Sequence, residues 1–285
     1  MAKTRDIKRR IRSIRNTMQV TRAMKMVSAA KLRRSTERIV QARPYARKML
    51  EVLRSLATRA NPDLHPLLRE RGDRRVEVLI ISGDKGLCGS FNTNIFKRAT
   101  AFLETLEDRE VTVHTVGKKG RDYFRRRRYP VHREWVEVFR DLSFAVAAEI
   151  AKDLTERYVR EDLDAVYLVY NEFKSVIQQA TVVERLLPIE RIEVDPKSPA
   201  QDYIYEPAPQ ELLDKLLPLH VEIQLYRALA ESAAAEHAAR MTAMDSASNN
   251  AAELIDSLTL HMNRVRQASI TTEIIEVVSG AEALG

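Results

Sequence analysis

Twelve residues, Ile81–Asn92 (ISGDKGLCGSFN), gather three glycines, an Asp-Lys pair and the only cysteine of the chain. They follow an apolar run and precede a stretch of helical spacing, a junction where backbone amides often hold phosphate. The glycines fall at 83, 86 and 89, which matches neither the dinucleotide fingerprint nor the P-loop. The Gly-Lys pair at Gly117-Lys118 is followed by Lys119, and Thr112 stands where a P-loop needs glycine, so it is a decoy. Asp84 beside Lys85 has the makings of an acid/base pair, but Asp is equally at home in a turn. On composition this stretch is a structural turn that offers an exposed Lys85 to a partner.

Other chemistry is thin. The six histidines are scattered without HExxH or paired ligand spacing, so no metal site is expected. Cys88 stands alone, which excludes an internal disulfide. No nucleophile and base share a spacing that would make a catalytic pair, and neither catalytic nor cofactor-binding residues are assigned. Arg125–Arg128 and the arginines at 9, 10, 12 and 15 have the charge to contact phosphates, although a solvated face explains such runs more often.

The elements that would position these residues are dominated by two long helical patterns of opposite charge. Residues 1–60 hold 18 Lys/Arg against 3 Asp/Glu, and residues 209–285 hold 5 against 11, within a total of +7. The N-terminal pattern should start after Thr4 or Asp6 and run to about Arg59, where Asn61-Pro62 breaks it, with a kink near Pro44. Ile7, Ile11, Ile14 and Met18 have the 4-3 spacing of a coiled-coil seam. Over Ala23–Ala30 apolar side chains occupy nearly every side, which implies burial against more than one neighbour.

Between the ends, Val76–Ser82, Val111–Gly117, Leu163–Tyr170 and Ala180–Leu187 read as strands, with Val131–Phe139 as an edge strand. Phe91–Leu106, Gly120–Arg128 and Ser143–Arg160 read as helices. This alternation predicts a mostly parallel α/β sheet flanked by linkers at 61–75 and 190–208. The expected domains are an N-terminal coiled-coil helix at 1–60, an α/β domain at 75–190 and a C-terminal coiled-coil helix at 209–285.

The last helix should begin near Gln210, or near Leu219 if Pro218 is a first-turn proline, and continue to Gly280. It outlasts its partner, so about twenty residues should project beyond the antiparallel pair. Their tip carries Ile270, Ile274, Ile275, Val277 and Val278 around the helix, a surface that water disfavours unless other chains enclose it. No run reaches the roughly 18–20 apolar residues needed to span a bilayer. The N-terminus lacks the apolar core of a secretory signal, which predicts an internal compartment.

Three segments together resemble the gamma subunit family of F-type ATP synthases. They are RIRSIRNTMQVTRAMKMVSAAKLRR at 10–34, SGDKGLCGSFN at 82–92, and RQASITTEIIEVVSGAEAL at 266–284. HAARMTAMDSASNNA at 237–251 is similar too, and the likeness runs the length of the chain in the right order. The resemblance implies an antiparallel coiled coil with a central Rossmann-like α/β domain at its foot. It implies a single non-catalytic rotor shaft inside a ring of three alpha and three beta subunits, with the foot on the epsilon subunit and the c-subunit ring. The shaft would couple proton-driven rotation to ATP synthesis and hydrolysis on beta, at the cytoplasmic face of the cell membrane. Membrane association would come only through that complex, with no cofactor and no nucleic acid.

By the same resemblance, Met24 faces the acidic loop at the bottom of beta, and Lys85 pairs with that loop. Arg266 and Gln267 form the polar pair that meets a beta-subunit catch loop, and Ile270–Val278 fits an apolar sleeve at the top of the ring. Each also has a plainer reading: Met24 as seam, Lys85 and Arg266 as solvated charge. The inserted cysteine pair of the redox-regulated plant form is absent, so thiol regulation is not expected. Met1 without a transit segment suggests a bacterial protein. Two other functions remain on the residues alone. One is a basic coiled coil that binds nucleic acid through residues 5–34, and the other is an enzyme holding a nucleotide at 82–92.

Overall fold

The computed structural model describes residues 2–57, 65–127, 129–190, 206 and 208–282. It forms two compact units, one of Met1–Ser28 with Arg240–Gly285 and the other of Ala29–Ala239. Helix α1 (Ala2–Ala57) and helix α5 (Pro209–Glu282) each contribute to both.

The larger unit is built on a five-stranded sheet in the order β3-β2-β1-β4-β5. Its strands are β1 (Arg75–Ile81), β2 (Glu110–Val116), β3 (Val131–Trp135), β4 (Ala165–Phe173) and β5 (Gln179–Leu187). Pairing is parallel except between β4 and β5, so the mostly parallel sheet is as expected. The helices between strands are α2 (Phe91–Glu104), α3 (Lys118–Phe124) and α4 (Phe144–Val159).

Strand β1 is central and covered on both faces, which is why it reads as an almost unbroken apolar run. Val76, Val78 and Ile80 join a core with Phe91, Ile95 and Leu103 of α2, Phe124 of α3 and Ala235 of α5. The alternate residue Glu77 turns to the opposite face, where Arg157 of α4 donates to it at 2.5 Å. Arg227 of α5 is anchored to β5 through Glu184 at 2.5 Å, and the same carboxylate accepts from the Tyr170 hydroxyl at 2.7 Å.

Several boundaries differ from the sequence expectation. Helix α1 starts at Ala2, before either expected cap, and continues through Pro44. Its expected stop at Asn61-Pro62 lies outside the described residues. Helix α5 starts at Pro209, a proline whose missing amide a first helical residue does not need, and Pro218 is carried inside it. Strand β3 ends at Trp135 and a 3-10 turn at Val138–Arg140 takes over. Helix α3 is shorter than Gly120–Arg128 suggested, ending at Phe124, and Arg128 is outside the described residues. Within the expected linker at 61–75, the described residues 65–75 include a packed turn. Leu67 and Leu68 are buried in a 3-10 turn, and the Leu67 carbonyl accepts from the Ile189 amide at 2.8 Å.

Glu77 is fully buried against His114 Nε2 on β2, with Arg157 on its other oxygen. Burial pushes its carboxyl up to about 7 against the pull of Arg157, while burial and then Arg157 push His114 down to about 3. The folded pair therefore holds one proton, on the carboxyl, between pH 3 and 7. Unfolded, with ordinary values of 4.5 and 6.5, the pair holds two protons below 4.5, one up to 6.5 and none above. Stability from this pair rises up to pH 4.5, stays level to 6.5, and falls as pH passes through 7. We expect a lower urea midpoint at pH 8 than at pH 5.5, followed through Trp135 fluorescence, with Glu77→Gln lacking that part of the fall. An equal fall in the variant refutes the assignment.

Gly117 has φ of +96°, and a Cβ there would lie 2.2 Å from the Ser82 carbonyl oxygen. Gly117→Ala should destabilise the full-length chain by at least about 2 kcal/mol. Urea unfolding measures this, and a loss under about 0.5 kcal/mol contradicts it.

Candidate functional site

At the carboxyl end of β1, the neighbouring strands β2 and β4 lead to opposite sides of the sheet, a position where open α/β sheets commonly bind ligands. Here the chain fills that position with its own groups. The Ser82 hydroxyl donates to the Val116 carbonyl at 2.9 Å and accepts from the Gly120 amide at 2.8 Å. Asp84 Oδ1 accepts from the amides of Lys118 and Glu137, both at 3.0 Å. The Lys119 amide donates to the Gly83 carbonyl at 3.1 Å, and the Gly83 amide donates to Asn92 Oδ1 at 2.9 Å.

The amides that a phosphate would need at the start of α3 are thus already satisfied, and Asp84 is a turn-former rather than an acid/base group. Lys85 is exposed at the turn, while its carbonyl accepts from Asn92 Nδ2 at 3.3 Å and fixes the backbone beneath it. Leu87 at φ +60° and Gly89 at φ +56° bend the chain back towards α2, with buried Cys88 between them.

In the smaller unit, α1 and α5 run antiparallel. The Thr21 and Ser248 hydroxyls share a buried hydrogen bond at 2.7 Å, and Lys25 Nζ donates to Asp245 Oδ1 at 2.6 Å. The 4-3 spacing begun by Ile7, Ile11, Ile14 and Met18 continues through Thr21, Lys25 and Ser28, each buried or half-buried. On α5 the matching stripe is Met244, Ser248, Ala251, Ile255, Leu258, Met262, Val265 and Ser269, again buried or half-buried.

The seam therefore becomes polar where the sequence reading saw an apolar stretch without a preferred side. That reading weighed apolar residues alone and missed Thr21, Lys25, Ser28, Asp245 and Ser248, although their spacing was visible. The apolar residues of the same stretch face outward: Met26 is 67% exposed, Val27 56% and Val20 59%. Met24 is half-buried beside Lys25. The opposite charge of the two helices also contributes less to pairing than the sequence suggested. Arg5, Lys8, Arg9, Arg10, Arg12 and Arg15 all remain exposed, and Lys25–Asp245 is a half-exposed pair worth about 0–1 kcal/mol.

This register carries the pair further than length arithmetic allowed. Thr4, Arg5 and Lys8 of α1 line one groove with Arg266, Ser269, Ile270 and Glu273 of α5. The uncovered part of α5 within the described residues is thus shorter than twenty residues and begins after Glu273. Arg266 and Gln267 are exposed on the last covered turns. Ile270 is exposed at the groove, and Ile274, Ile275, Val277 and Val278 are exposed beyond it, with Val277 at 72%. The expected contact residues thus occupy two separate places, Lys85 in the larger unit and the remainder in the smaller one.

The chain was compared with known proteins. A model of a family described as ATP synthase matches residues 3–284. An ATP synthase gamma chain of Geobacter metallireducens is 49% identical over 286 residues, covering 100% of this chain and 99% of that one. The gamma chain of Solibacter usitatus is 52% identical over 282 residues, covering 98% of each. Among solved structures, a chain from the central stalk and c ring of the Tetrahymena thermophila mitochondrial ATP synthase aligns with a TM-score of 0.61 at 27% identity. It covers 80% of this chain and 99% of that one. A chain of the Euglena gracilis mitochondrial enzyme aligns with a TM-score of 0.70 at 19% identity over 99% and 95%, a likeness of fold. With its antiparallel terminal helices, its parallel sheet and a full-length match on both sides, the chain belongs to the ATP synthase gamma chain family.

Proposed function

We propose that this chain is the non-catalytic rotor shaft of an F-type ATP synthase, one copy inside a ring of three alpha and three beta subunits. The observation that carries the reading is the exposed apolar surface of the smaller unit, Val20, Met26 and Val27 on α1 and Ile274 to Val278 on α5. These are two separate apolar patches on one helix pair, and exposed apolar patches of this kind mark places that other chains cover. In this reading residues 1–60 and 209–285 are the shaft, and 75–190 is the foot that meets the epsilon subunit and the c-subunit ring. The complex sits at the cytoplasmic face of the cell membrane. None of the described helices is long and apolar enough to cross a membrane.

Symmetry supplies the mechanism. One asymmetric shaft in a threefold ring meets each beta subunit differently, so each is biased towards a different conformation. Rotation moves that bias from one beta to the next. Driving a site from 1:99 to 99:1 between two states takes about 5.5 kcal/mol, more than any exposed ion pair provides. The work is therefore shared among many contacts. In this proposal Met24 and Lys85 meet the lower acidic loop of beta, Arg266 and Gln267 meet its catch loop, and Ile270, Ile274, Ile275, Val277 and Val278 turn in the apolar sleeve. The amides of Lys118, Lys119 and Gly120, held by Asp84, Gly83 and Ser82, support a foot that binds no phosphate at the start of α3.

Co-expression with the alpha and beta subunits, followed by sizing, tests the assignment. ATP hydrolysis should appear only in the assembled complex, and a free monomer with turnover of its own would exclude the shaft. Arg266→Ala should leave assembly intact and lower ATP-driven turnover by up to about fivefold, the equivalent of one exposed ion pair. Turnover equal to the parent complex would return Arg266 to the solvated surface.

A further inference from the structure

Arg5 and Lys8 belong to the first two turns of α1, far from Arg266 in sequence, yet all three border one groove of about 590 Å³. All three are exposed, and among the described residues none of their side chains has an ion pair or a hydrogen bond. The carboxylate in the groove, Glu273, accepts from the Ser269 hydroxyl at 3.3 Å. Arg5 and Lys8 are like charges three residues apart on one helix, an arrangement that opposes helix formation unless something offsets it. The groove thus concentrates unpaired positive charge between two helices, beside the half-exposed apolar wall of Ile270.

We propose that this groove receives an acidic loop of the enclosing ring, so that Arg5 and Lys8 form one cradle for carboxylates together with Arg266. The inference rests on the shaft reading and adds α1 to a contact otherwise assigned to α5 alone. Charge complementarity selects the occupant. Guanidinium groups pair with carboxylates through parallel hydrogen bonds. The described lining residues include no aromatic ring on which a nucleic-acid base would stack. The apolar wall suits a polypeptide loop that brings a side chain along with its charge. Because the cations come from both helices, the cradle exists only while α1 and α5 keep their register. A carboxylate held there would feel the orientation of the pair as a whole.

The experiment uses the assembled complex with alpha and beta subunits. Zero-length carbodiimide coupling, mapped by mass spectrometry, should join the Lys8 amine to a carboxylate of an alpha or beta subunit. Lys8→Arg, which keeps the charge but cannot form the amide, should lose that product. A complex carrying Arg5→Gln and Lys8→Gln should keep its size and lose about three- to fivefold in ATP-driven turnover at low salt. The difference should narrow as salt rises, and Arg5→Lys with Lys8→Arg should restore turnover. An intact complex in which Lys8 couples only to Glu273, or to nothing, overturns the cradle. So does unchanged turnover in the glutamine variant, including the case where that variant loses affinity for single-stranded DNA. A chain that never assembles with alpha and beta overturns the shaft reading itself, a result distinguishable by sizing before any coupling is done.

Discussion

Thr21 and Ser248 share a buried hydrogen bond in the seam between α1 and α5, next to the Lys25–Asp245 pair. Polar groups at seam positions specify register, because sliding by one heptad, about 10 Å, would break both the Thr21–Ser248 bond and the Lys25–Asp245 pair. Much of the smaller unit follows from that fixed register. It decides that Thr4 lies beside the turn containing Ser269, and hence where α5 loses its cover. It also decides which flank of Ala23–Ala30 is left facing outward. The polar layer adds little stability, yet it determines what the helix pair presents to its surroundings.

The larger unit solves a different problem in the same manner, with polar groups serving geometry. A parallel sheet has an open end where strand connections diverge, and this chain closes it with Ser82, Asp84 and Asn92. Ser82 and Asp84 bind backbone groups from the end of β2 to the start of α3, and Asn92 of α2 holds the Gly83 amide. Gly117 lets the β2–α3 connection approach Ser82 closely enough for the network to form. The result is a rigid turn from which Lys85 stands out. On the other side of the sheet, the buried Glu77–His114–Arg157 group is a charged element in an otherwise apolar layer, and burial settles where its proton resides.

Much of this was legible in the residues. The apolar runs of β1 and β2, the alternation with helices and the glycine-rich turn all pointed to the sheet and its orientation. The turn reads as structural on composition, and its glycine spacing fits no phosphate motif. Boundaries proved harder. Pro44 is expected inside α1 and lies there, whereas Pro218 offers an alternative start for α5 and proves to be inside it. A long helix with enough buried neighbours tolerates a missing amide. The linker reading of 61–75 misses the packing of Leu67 and Leu68, because polarity and proline outweigh two apolar residues whose burial depends on contacts remote in sequence. The polar seam was hidden for a related reason: hydrophobic periodicity weighs only apolar residues, so Thr21 and Ser248 count as surface until their partner across the pair is known. The cationic groove was out of reach of a linear reading, since Arg5 and Arg266 meet only through the fold.

The bare end of α5 also bears on how cells must handle this chain before it has partners. Ile274, Ile275, Val277 and Val278 form a short segment, apolar around the helix, that none of the described residues covers. In the proposed shaft, until a ring closes over it, that segment is open to other unfinished chains and to quality-control proteins that recognise exposed apolar stretches. Concealment of the segment is therefore a chemical record of completed assembly. One copy made in excess of the ring subunits remains marked, which places a premium on matched synthesis of the subunits.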